Sequence, residues 1–327
     1  MAGAGDAARG RGGRRVSARP PPAGATFGTF RADDGAALRY ALWPREAARG
    51  TAILLGGFTE FIEKHYESTQ DLLDRGFAVA AMDWRCQGLS DRPLPNRQKI
   101  HVRDFGRYVA DLAAFHGTVV RPALPEPAVF LAHSMGGHIV LRYLHDRPGA
   151  AACAVLSAPM VDLPFPKALR PLAEAAFRIA ARGGLAGRYA PGSRDYGPWK
   201  RRFEDNRLTS DPERFRQTHD EIDADPRLAS GGATVGWVDA ALRTIALMAR
   251  PDYLAAFRTP LCLVEAGEDR IVSNAAVDRF AAAVPCAELH RIDGARHEML
   301  RERDELRNRF WQIFDEFTDR MLGSGCR

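Results

Sequence analysis

Three residues that lie far apart in the chain have the types and settings needed for nucleophilic catalysis: Ser134, Asp269 and His297. Ser134 lies in "VFLAHSMGGHIV", where an apolar run gives way to a stretch that can open a helix. A serine hydroxyl is a weak nucleophile until a histidine removes its proton, and a carboxylate in turn orients that histidine. The pattern predicts a nucleophile elbow, in which a strained turn between strand and helix exposes the serine hydroxyl.

The elbow motif is usually written G-x-S-x-G, and Ala132 stands where its first glycine is expected. The flanking positions must be small because strand and helix nearly touch at the elbow. Alanine adds a single methyl group, and Gly136 and Gly137 remain on the helix side. We therefore expect that Ala132 still meets the steric requirement.

The acid and the base are predicted in two later loops. Asp269 in "LVEAGEDRIV" and His297 in "RIDGARHEML" each follow a strand-like run, so both can reach the edge of a sheet where Ser134 lies. Their chain order, serine then acid then histidine, is the order expected for an elbow of this kind. Glu265 and Glu268 are competing acids, whose alternative role is a surface ion pair.

Two further histidines and two backbone groups complete the candidate site. His133 is predicted to point away from the serine along its strand, and His138 to lie on the following helix, so both are interpreted as structural. Acyl transfer also needs hydrogen-bond donors for the oxyanion. We predict the backbone N–H of Met135 as one donor and that of Phe58, in "LLGGFTEF", as the second.

The elements that must position these residues alternate between strand and helix. A hairpin is predicted in "FGTFRADDGAALRYALW", and short apolar runs typical of buried parallel strands follow in "TAILLGGF", "GFAVAAMDW", "AVFLAHS", "CAVLSAP", "PLCLVEAG" and "AELHRID". Helical periodicity is found in "YESTQDLLDRG", "DFGRYVADLAAFHG", "GGHIVLRYLHDRP", "NAAVDRFAAAV" and "ELRNRFWQIFDEFTDRML". Alternating strands and helices predict a doubly wound α/β fold with a mostly parallel sheet.

One interval breaks this alternation, because about 100 residues separate Pro159 from Pro260. We interpret 161–249 as an inserted helical cap, with 26–160 and 250–322 as the core. The first part of the interval is basic, with nine basic residues against three acidic ones between Asp162 and Arg202, and the second part is acidic. Compensation between the two parts is the simpler interpretation; a cationic rim for anionic lipid head groups is the alternative.

Composition and charge exclude several classes. At 46% hydrophobic and 27% charged residues, the chain resembles a soluble globular protein, and no apolar run approaches the roughly 18 residues of a membrane span. Residues 1–25 carry +4 of the net charge of +5, so we expect a disordered Arg/Gly/Pro-rich tail and no nucleic-acid partner. Weak attraction of this tail to an anionic membrane or to nucleic acid is the alternative.

The five cysteines have no metal-ligand spacing. Three of them lie within or beside strand-like runs. We therefore interpret them as reduced packing residues of a cytoplasmic protein. They are Cys86, Cys153, Cys262, Cys286 and Cys326.

Taken together, most of the chain resembles the α/β-hydrolase fold and, within it, the monoacylglycerol lipase and bacterial lysophospholipase group. The segments that carry the likeness are "GGFTEFIEKHYE", "MDWRCQGLSDR", "AHSMGG", "LSAPM", "GEDRIV" and "GARHEML". The form "AHSMGG", with alanine first, looks like the bacterial lysophospholipases in particular. Cys86 departs from the usual glycine, and Gly56 from the histidine often found before the oxyanion glycine.

The resemblance implies hydrolysis of a small lipid ester without cofactor or metal. Ser134 would attack the ester, His297 would transfer the proton and Asp269 would steady the imidazolium. The cap would supply an acyl-binding wall. Peripheral contact with an anionic membrane, at the inner face for a cytoplasmic protein, is expected only under the alternative interpretation of the cap charge as a cationic rim. Candidate wall residues are Met160, Leu163, Phe165 and Trp237.

Three rival functions stay open. A monoacylglycerol lipase or general carboxylesterase would use the same three residues on an uncharged ester, and the basic half of the cap favours the lysophospholipid. An aminopeptidase would need carboxylates placed for a substrate amino terminus, and the sequence does not locate them. A non-catalytic hydrolase-like binding protein would be expected to have lost one of the three residues.

Overall fold

A computed structural model describes residues 19–163 and 167–323 of the chain. In this described part, eight strands form one sheet in the order β1-β2-β4-β3-β5-β6-β7-β8. The strands are β1 (Thr26–Arg31), β2 (Ala37–Trp43), β3 (Thr51–Leu55), β4 (Ala78–Met82), β5 (Ala128–His133), β6 (Cys153–Ser157), β7 (Leu261–Ala266) and β8 (Ala287–Ile292). The hairpin β1–β2 joins the sheet antiparallel, and β3 to β8 are parallel to one another.

Helices connect the parallel strands. They are α1 (Tyr66–Asp74), α2 (Gly106–Phe115), α3 (Arg121–Ala123), α4 (Met135–Asp146), α5 (Arg170–Ala180), α6 (Pro212–Ala224), α7 (Val235–Met248), α8 (Pro251–Ala255), α9 (Asn274–Ala283) and α10 (Asp304–Gly323). Every strand and helix segment predicted from periodicity overlaps one of these elements. The expected doubly wound α/β architecture is therefore confirmed.

The sequence of the central strands explains why the sheet is covered on both faces. All residues of β3, β4, β5, β6 and β7 are buried, which is the pattern of parallel strands between helical layers. The C-terminal helix α10 contributes Phe310, Phe314 and Phe317 to the core. This rigid core fixes the carboxyl ends of β5, β7 and β8, from which the predicted site residues project.

The interval between β6 and β7 contains α5 to α8 together with several short 3-10 turns. Its parts differ in burial: α7 packs Trp237, Ala241 and Leu242 into the core, whereas α5 buries none of its residues. No helix in the described ranges is both long and apolar enough to cross a bilayer.

Part of the predicted disordered tail contacts the folded chain. The carbonyl of Pro22 accepts a hydrogen bond from the Trp43 indole, and the backbone N–H of Arg19 donates to Glu221. These two contacts tie residues 19–25 to the folded chain, and residues 1–18 lie outside the described residues, so disorder of the tail stays a prediction.

The described cysteines are all free thiols, as expected. Cys153 and Cys262 are buried on neighbouring strands, Cys86 is buried in a loop and Cys286 is half-buried before β8. Cys326 lies outside the described residues.

Candidate active site

Ser134 occupies a strained turn between β5 and α4. Its backbone has φ 51° and ψ −115°, a conformation that side chains other than glycine rarely adopt. Crowding explains why small residues flank it: a Cβ on Gly136 would lie 2.4 Å from the carbonyl oxygen of Gly56. Ala132 lies on β5 between Leu55 and Leu156 and is fully buried, so its methyl group is accommodated within the sheet.

The structure brings Ser134, His297 and Asp269 into one hydrogen-bonded chain. Nε2 of His297 lies 2.9 Å from Oγ of Ser134, and Nδ1 lies 2.7 Å from Oδ2 of Asp269. A proton on Nδ1 donates to the carboxylate, which leaves Nε2 free to accept the serine proton. Only 4% of the His297 side chain and 0% of the Asp269 side chain are exposed.

The environment of Asp269 keeps it ionised. Burial on its own raises the pKa of this carboxyl, but hydrogen bonds from His297 and from the backbone N–H groups of Ile271 and Val272 outweigh burial and hold the pKa below its ordinary value. A carboxylate anchored at both oxygens cannot rotate freely. Asp269 therefore fixes the orientation of the His297 ring.

The competing acids lie elsewhere. The carboxylate of Glu265 pairs with Arg291 at 2.5 Å, and Glu268 is exposed at the surface. Neither contacts His297 among the hydrogen bonds and ion pairs of the described residues.

The two other histidines near the elbow have structural partners. Nδ1 of His133 lies 3.1 Å from the Ser157 carbonyl oxygen, and the centre of its ring lies 4.7 Å from that of His297, with the two rings tilted by 59°. His138 contacts the Met160 carbonyl oxygen and the Thr244 hydroxyl. Burial lowers the pKa of both imidazoles to about 4, so both are neutral at physiological pH.

The loop after β3 carries Phe58, which lines the same two cavities as Ser134. The backbone N–H groups on either side of Phe58 already have acceptors. That of Gly57 donates to the Glu60 carboxylate, and that of Thr59 donates to the Gln87 amide oxygen. Within the described ranges, neither the N–H of Phe58 nor that of Met135 makes a hydrogen bond. Two free N–H donors beside the nucleophile are what an oxyanion site requires, and this role stays a prediction for both.

A buried ion cluster braces this loop against the histidine loop. The ammonium group of Lys64 lies 2.6 Å from Glu60 and 2.6 Å from Glu298, the residue after His297. Burial lowers the pKa of Lys64, but the two carboxylates outweigh burial and raise it. Glu60, His133 and Glu298 are also grouped closely enough to hold a metal ion; however, Lys64 already supplies the positive charge that these carboxylates require.

Two adjoining cavities open at Ser134. The larger has a volume of about 620 Å³. It is lined by Ser134 and His297 and by several charged residues. The smaller, of about 310 Å³, is mainly apolar and includes Met160, Leu163 and Trp237. Residues common to both are Phe58, Ser134, Arg194, Trp199, Lys200 and Ile271. Phe165, the remaining candidate for the acyl wall, lies outside the described residues.

Sequence reasoning missed the supporting charges. Glu60 and Lys64 are four residues apart in "TEFIEKH", directly after the oxyanion glycines, and Glu298 adjoins the histidine. Their closeness to predicted site residues was a usable signal. Lys200 and Arg194 gave no such signal, because they belong to a long basic stretch whose individual partners only the fold determines.

The central sheet, the elbow and the hydrogen-bonded side chains define the class as an α/β-hydrolase. In agreement, a soluble variant of monoglyceride lipase from Saccharomyces cerevisiae, solved in complex with a substrate analogue, superposes with a TM-score of 0.70 at 20% identity, over 94% of this chain and 99% of that one. At this identity the likeness supports the fold.

The sequence comparisons identify the family. A model of the family described as serine aminopeptidase, S33, matches residues 46–304, and the chain belongs to this hydrolase family. Lysophospholipase L2 of Escherichia coli strain K12 is 32% identical, over 91% of this chain and 89% of that protein. Monoacylglycerol lipase of Mycolicibacterium smegmatis is 27% identical, over 85% and 91% respectively. The resemblance inferred from the sequence motifs is thus confirmed.

Proposed function

We propose that this protein is a serine carboxylic-ester hydrolase that removes the acyl chain from a lysophospholipid or a similar monoacyl glycerolipid. The observation that carries the proposal is the chain of hydrogen bonds from Asp269 through His297 to Ser134, placed where an apolar cavity meets a charged one. The names of the lysophospholipase and monoacylglycerol lipase relatives support the same class of substrate.

The geometry suits a two-step mechanism with balanced proton transfer. Oγ of Ser134 attacks the ester carbonyl while Nε2 of His297 takes the hydroxyl proton. The tetrahedral oxyanion is stabilised by the N–H groups of Phe58 and Met135. When the C–O bond to glycerol breaks, His297 returns the proton to the departing alkoxide. Water, activated by His297, then cleaves the acyl-enzyme to release the fatty acid.

Each cavity suits one part of such a substrate. The smaller cavity offers an apolar wall for the acyl chain, formed by Met160, Leu163 and Trp237 beneath Phe58. Phe58 and Trp237 are in contact, with ring centroids 4.7 Å apart. The larger cavity suits the polar head group. We therefore propose that 161–249, which contributes to both cavities, acts as a cap that closes over a monoacyl lipid.

The other functions receive less support from the site. An aminopeptidase would need a free carboxylate for the substrate ammonium group, but the carboxylates of the larger cavity are paired: Glu60 and Glu298 with Lys64, and Asp205 with Arg202 at 3.4 Å. A monoacylglycerol lipase remains compatible with the triad. The charged cavity favours the lysophospholipid over this alternative.

The deciding experiment measures fatty-acid release from lysophosphatidylcholine and from a monoacylglycerol with the same acyl chain. We expect the wild type to hydrolyse both, with a preference for the lysophospholipid, and Ser134→Ala to hydrolyse neither while keeping its fold by circular dichroism. Preference for the neutral ester would assign a monoacylglycerol lipase. Unchanged turnover in Ser134→Ala would refute the mechanism, as would failure of a fluorophosphonate probe to label the folded wild type.

We further propose that α5 brings the cap into contact with an anionic lipid surface. Leu172 is 69% exposed and Ile179 73% exposed on this helix, and Arg178 and Arg182 lie within three residues of Ile179. Exposed apolar residues flanked by arginines are typical of helices that lie in a membrane interface. This face would let the substrate enter from the lipid layer.

Sedimentation with vesicles of phosphatidylglycerol and phosphatidylcholine tests this contact. We expect the double variant Leu172→Ser, Ile179→Ser to lose vesicle binding. Phe27→Ser, which removes an exposed apolar residue on β1, serves as the matched control and should bind like the wild type. Equal binding by all three proteins would contradict the proposal.

A further inference from the structure

The larger cavity holds more positive charge than its own carboxylates neutralise. Five basic residues line it, and the acidic residues on its wall are fewer. Lys64 lies between Glu60 and Glu298, a group with one surplus negative charge, and Arg202 pairs with Asp205. This leaves three cations, Arg194, Lys200 and Arg207, with no carboxylate within 4.0 Å among the described residues.

Among the three cations, Lys200 has a hydrogen-bond donor that the protein does not use. Its ammonium group donates to the carbonyl oxygens of Ser230 at 3.3 Å and Gly231 at 3.0 Å, and an ammonium group has three donors. One N–H is therefore left for a ligand. A half-buried cation held only by neutral carbonyls is costly, and an anion in the cavity would offset that cost.

The ring of Trp199 contacts both Arg194 and Lys200. The guanidinium carbon of Arg194 lies 4.1 Å from the centre of the Trp199 ring, and Nζ of Lys200 lies 5.5 Å from the same ring. Stacking on the ring orients Arg194 without neutralising it. Both cations line the smaller cavity as well as the larger, as Ser134 does, so they lie where the glycerol part of a monoacyl lipid would emerge.

We propose that Lys200 and Arg194, with Arg207, form a binding subsite for the phosphodiester of the substrate's head group. The proposal rests on the proposed function and specifies its substrate as a phosphate-bearing monoacyl lipid. A phosphodiester carries one negative charge and several acceptor oxygens, which matches a free ammonium N–H beside a guanidinium. A neutral glycerol head group would leave all three cations without a counter-charge.

The first test compares kcat/KM for lysophosphatidylcholine with kcat/KM for a monoacylglycerol of the same acyl chain. In Lys200→Met we expect the ratio of the two to fall about 10- to 100-fold, the range expected for losing a charge-assisted hydrogen bond. Arg194→Met should lower the same ratio. Arg188→Gln, which removes an exposed cap arginine outside the cavity, is the matched control and should leave the ratio unchanged.

A binding experiment separates this proposal from the proposed function. Ligand-observed NMR with the Ser134→Ala protein should detect sn-glycero-3-phosphocholine, and adding Lys200→Met should weaken binding about tenfold or more; glycerol should not bind either protein. This readout needs no turnover, so it stands even where hydrolysis fails.

Two results would overturn the subsite. An unchanged ratio and unchanged binding in Lys200→Met would show that Lys200 does not recognise phosphate. If inorganic phosphate bound as tightly as sn-glycero-3-phosphocholine while the lipid ratio stayed constant, the cavity would take the free anion rather than the head group. Either result would leave the esterase mechanism intact, provided that Ser134→Ala hydrolyses neither lysophosphatidylcholine nor monoacylglycerol.

Discussion

The cavity above Ser134 has two walls that handle charge in opposite ways. The core wall is formed by loops of the α/β core and carries Glu60, Lys64, His297 and Glu298. There, each carboxylate or ammonium group has a partner of opposite charge nearby. The cap wall includes 194–208 and carries the pair Arg202–Asp205. It also carries Arg194, Lys200 and Arg207, which have no carboxylate partner in the described chain.

The pKa values of two lysines in this cavity shift in opposite directions, which illustrates the contrast between the walls. The carboxylates around Lys64 raise its pKa although it is buried. Burial, together with the positive charge of Lys64, lowers the pKa of Lys200 to about 8. Charges that are paired within the protein hold catalytic groups in place, whereas unpaired ones are available to a ligand. We infer that the core wall carries out the chemistry and the cap wall selects the substrate.

The largest effect is expected from breaking the hydrogen-bonded chain behind the core wall. Asp269→Asn keeps the shape of the side chain but no longer stabilises the correct imidazole tautomer, and we expect kcat to fall by about 10⁴-fold for both lipid substrates. Steady-state kinetics with each substrate measures this change.

Glu265→Gln is the matched control for that variant, since Glu265 pairs with Arg291 and not with His297. It should retain kcat within a few fold of the wild type. Equal losses in the two variants would mean that His297 depends on a different acid.

The next effect compares the same substitution at the two lysines. Lys64→Met leaves the buried carboxylates of Glu60 and Glu298 without their cation, and we expect it to lower the free energy of unfolding by about 3–5 kcal/mol. Lys200→Met removes a charge that has no carboxylate partner and should change it by no more than about 1 kcal/mol. Urea unfolding at neutral pH, monitored by tryptophan fluorescence, measures both values. Similar losses in the two variants would contradict the division between the walls.

The sequence predicted much more of the core wall than of the cap wall. Strand periodicity and loop position were enough to place Ser134, Asp269 and His297 at one edge of the sheet, because a parallel sheet brings the ends of its strands together. The ion cluster of Lys64 was harder to predict, since Glu298 is 234 residues away from it. Only the complete fold makes that contact.

For the cap, net charge was a weak guide. Compensation between its two halves does occur: Arg178 lies 3.9 Å from Asp239, and Arg201 lies 2.5 Å from Asp223. Nevertheless, Arg194 and Lys200 face the cavity and find no such partner. Counting charges along the chain cannot separate these cases, because pairing depends on which side of each turn faces the cavity.

The smallest effect is expected from titrating Lys200. Its pKa is about 8 in the free protein, so its ammonium group is charged below this pH and loses its proton as the pH rises through it. We expect the ratio of kcat/KM for lysophosphatidylcholine to kcat/KM for monoacylglycerol to be highest near pH 7 and to fall roughly tenfold towards pH 9.5, since kcat/KM reports the free enzyme. The choline phosphodiester does not titrate in this range.

The other charged groups of the cavity do not account for such a change. Arginine and carboxylate side chains ordinarily titrate outside the range from pH 7 to 9.5, and although burial raises the pKa of Glu60, the charges of Lys64 and His65 outweigh burial and lower it. Burial lowers the pKa of His219 to about 4, so it is neutral throughout. His133 is likewise neutral, and the triad serves both substrates, so a change in it cancels in the ratio. Lys200→Arg, whose guanidinium stays charged, should therefore keep the ratio constant to pH 9.5; a parallel decline in this variant would assign the effect to another group.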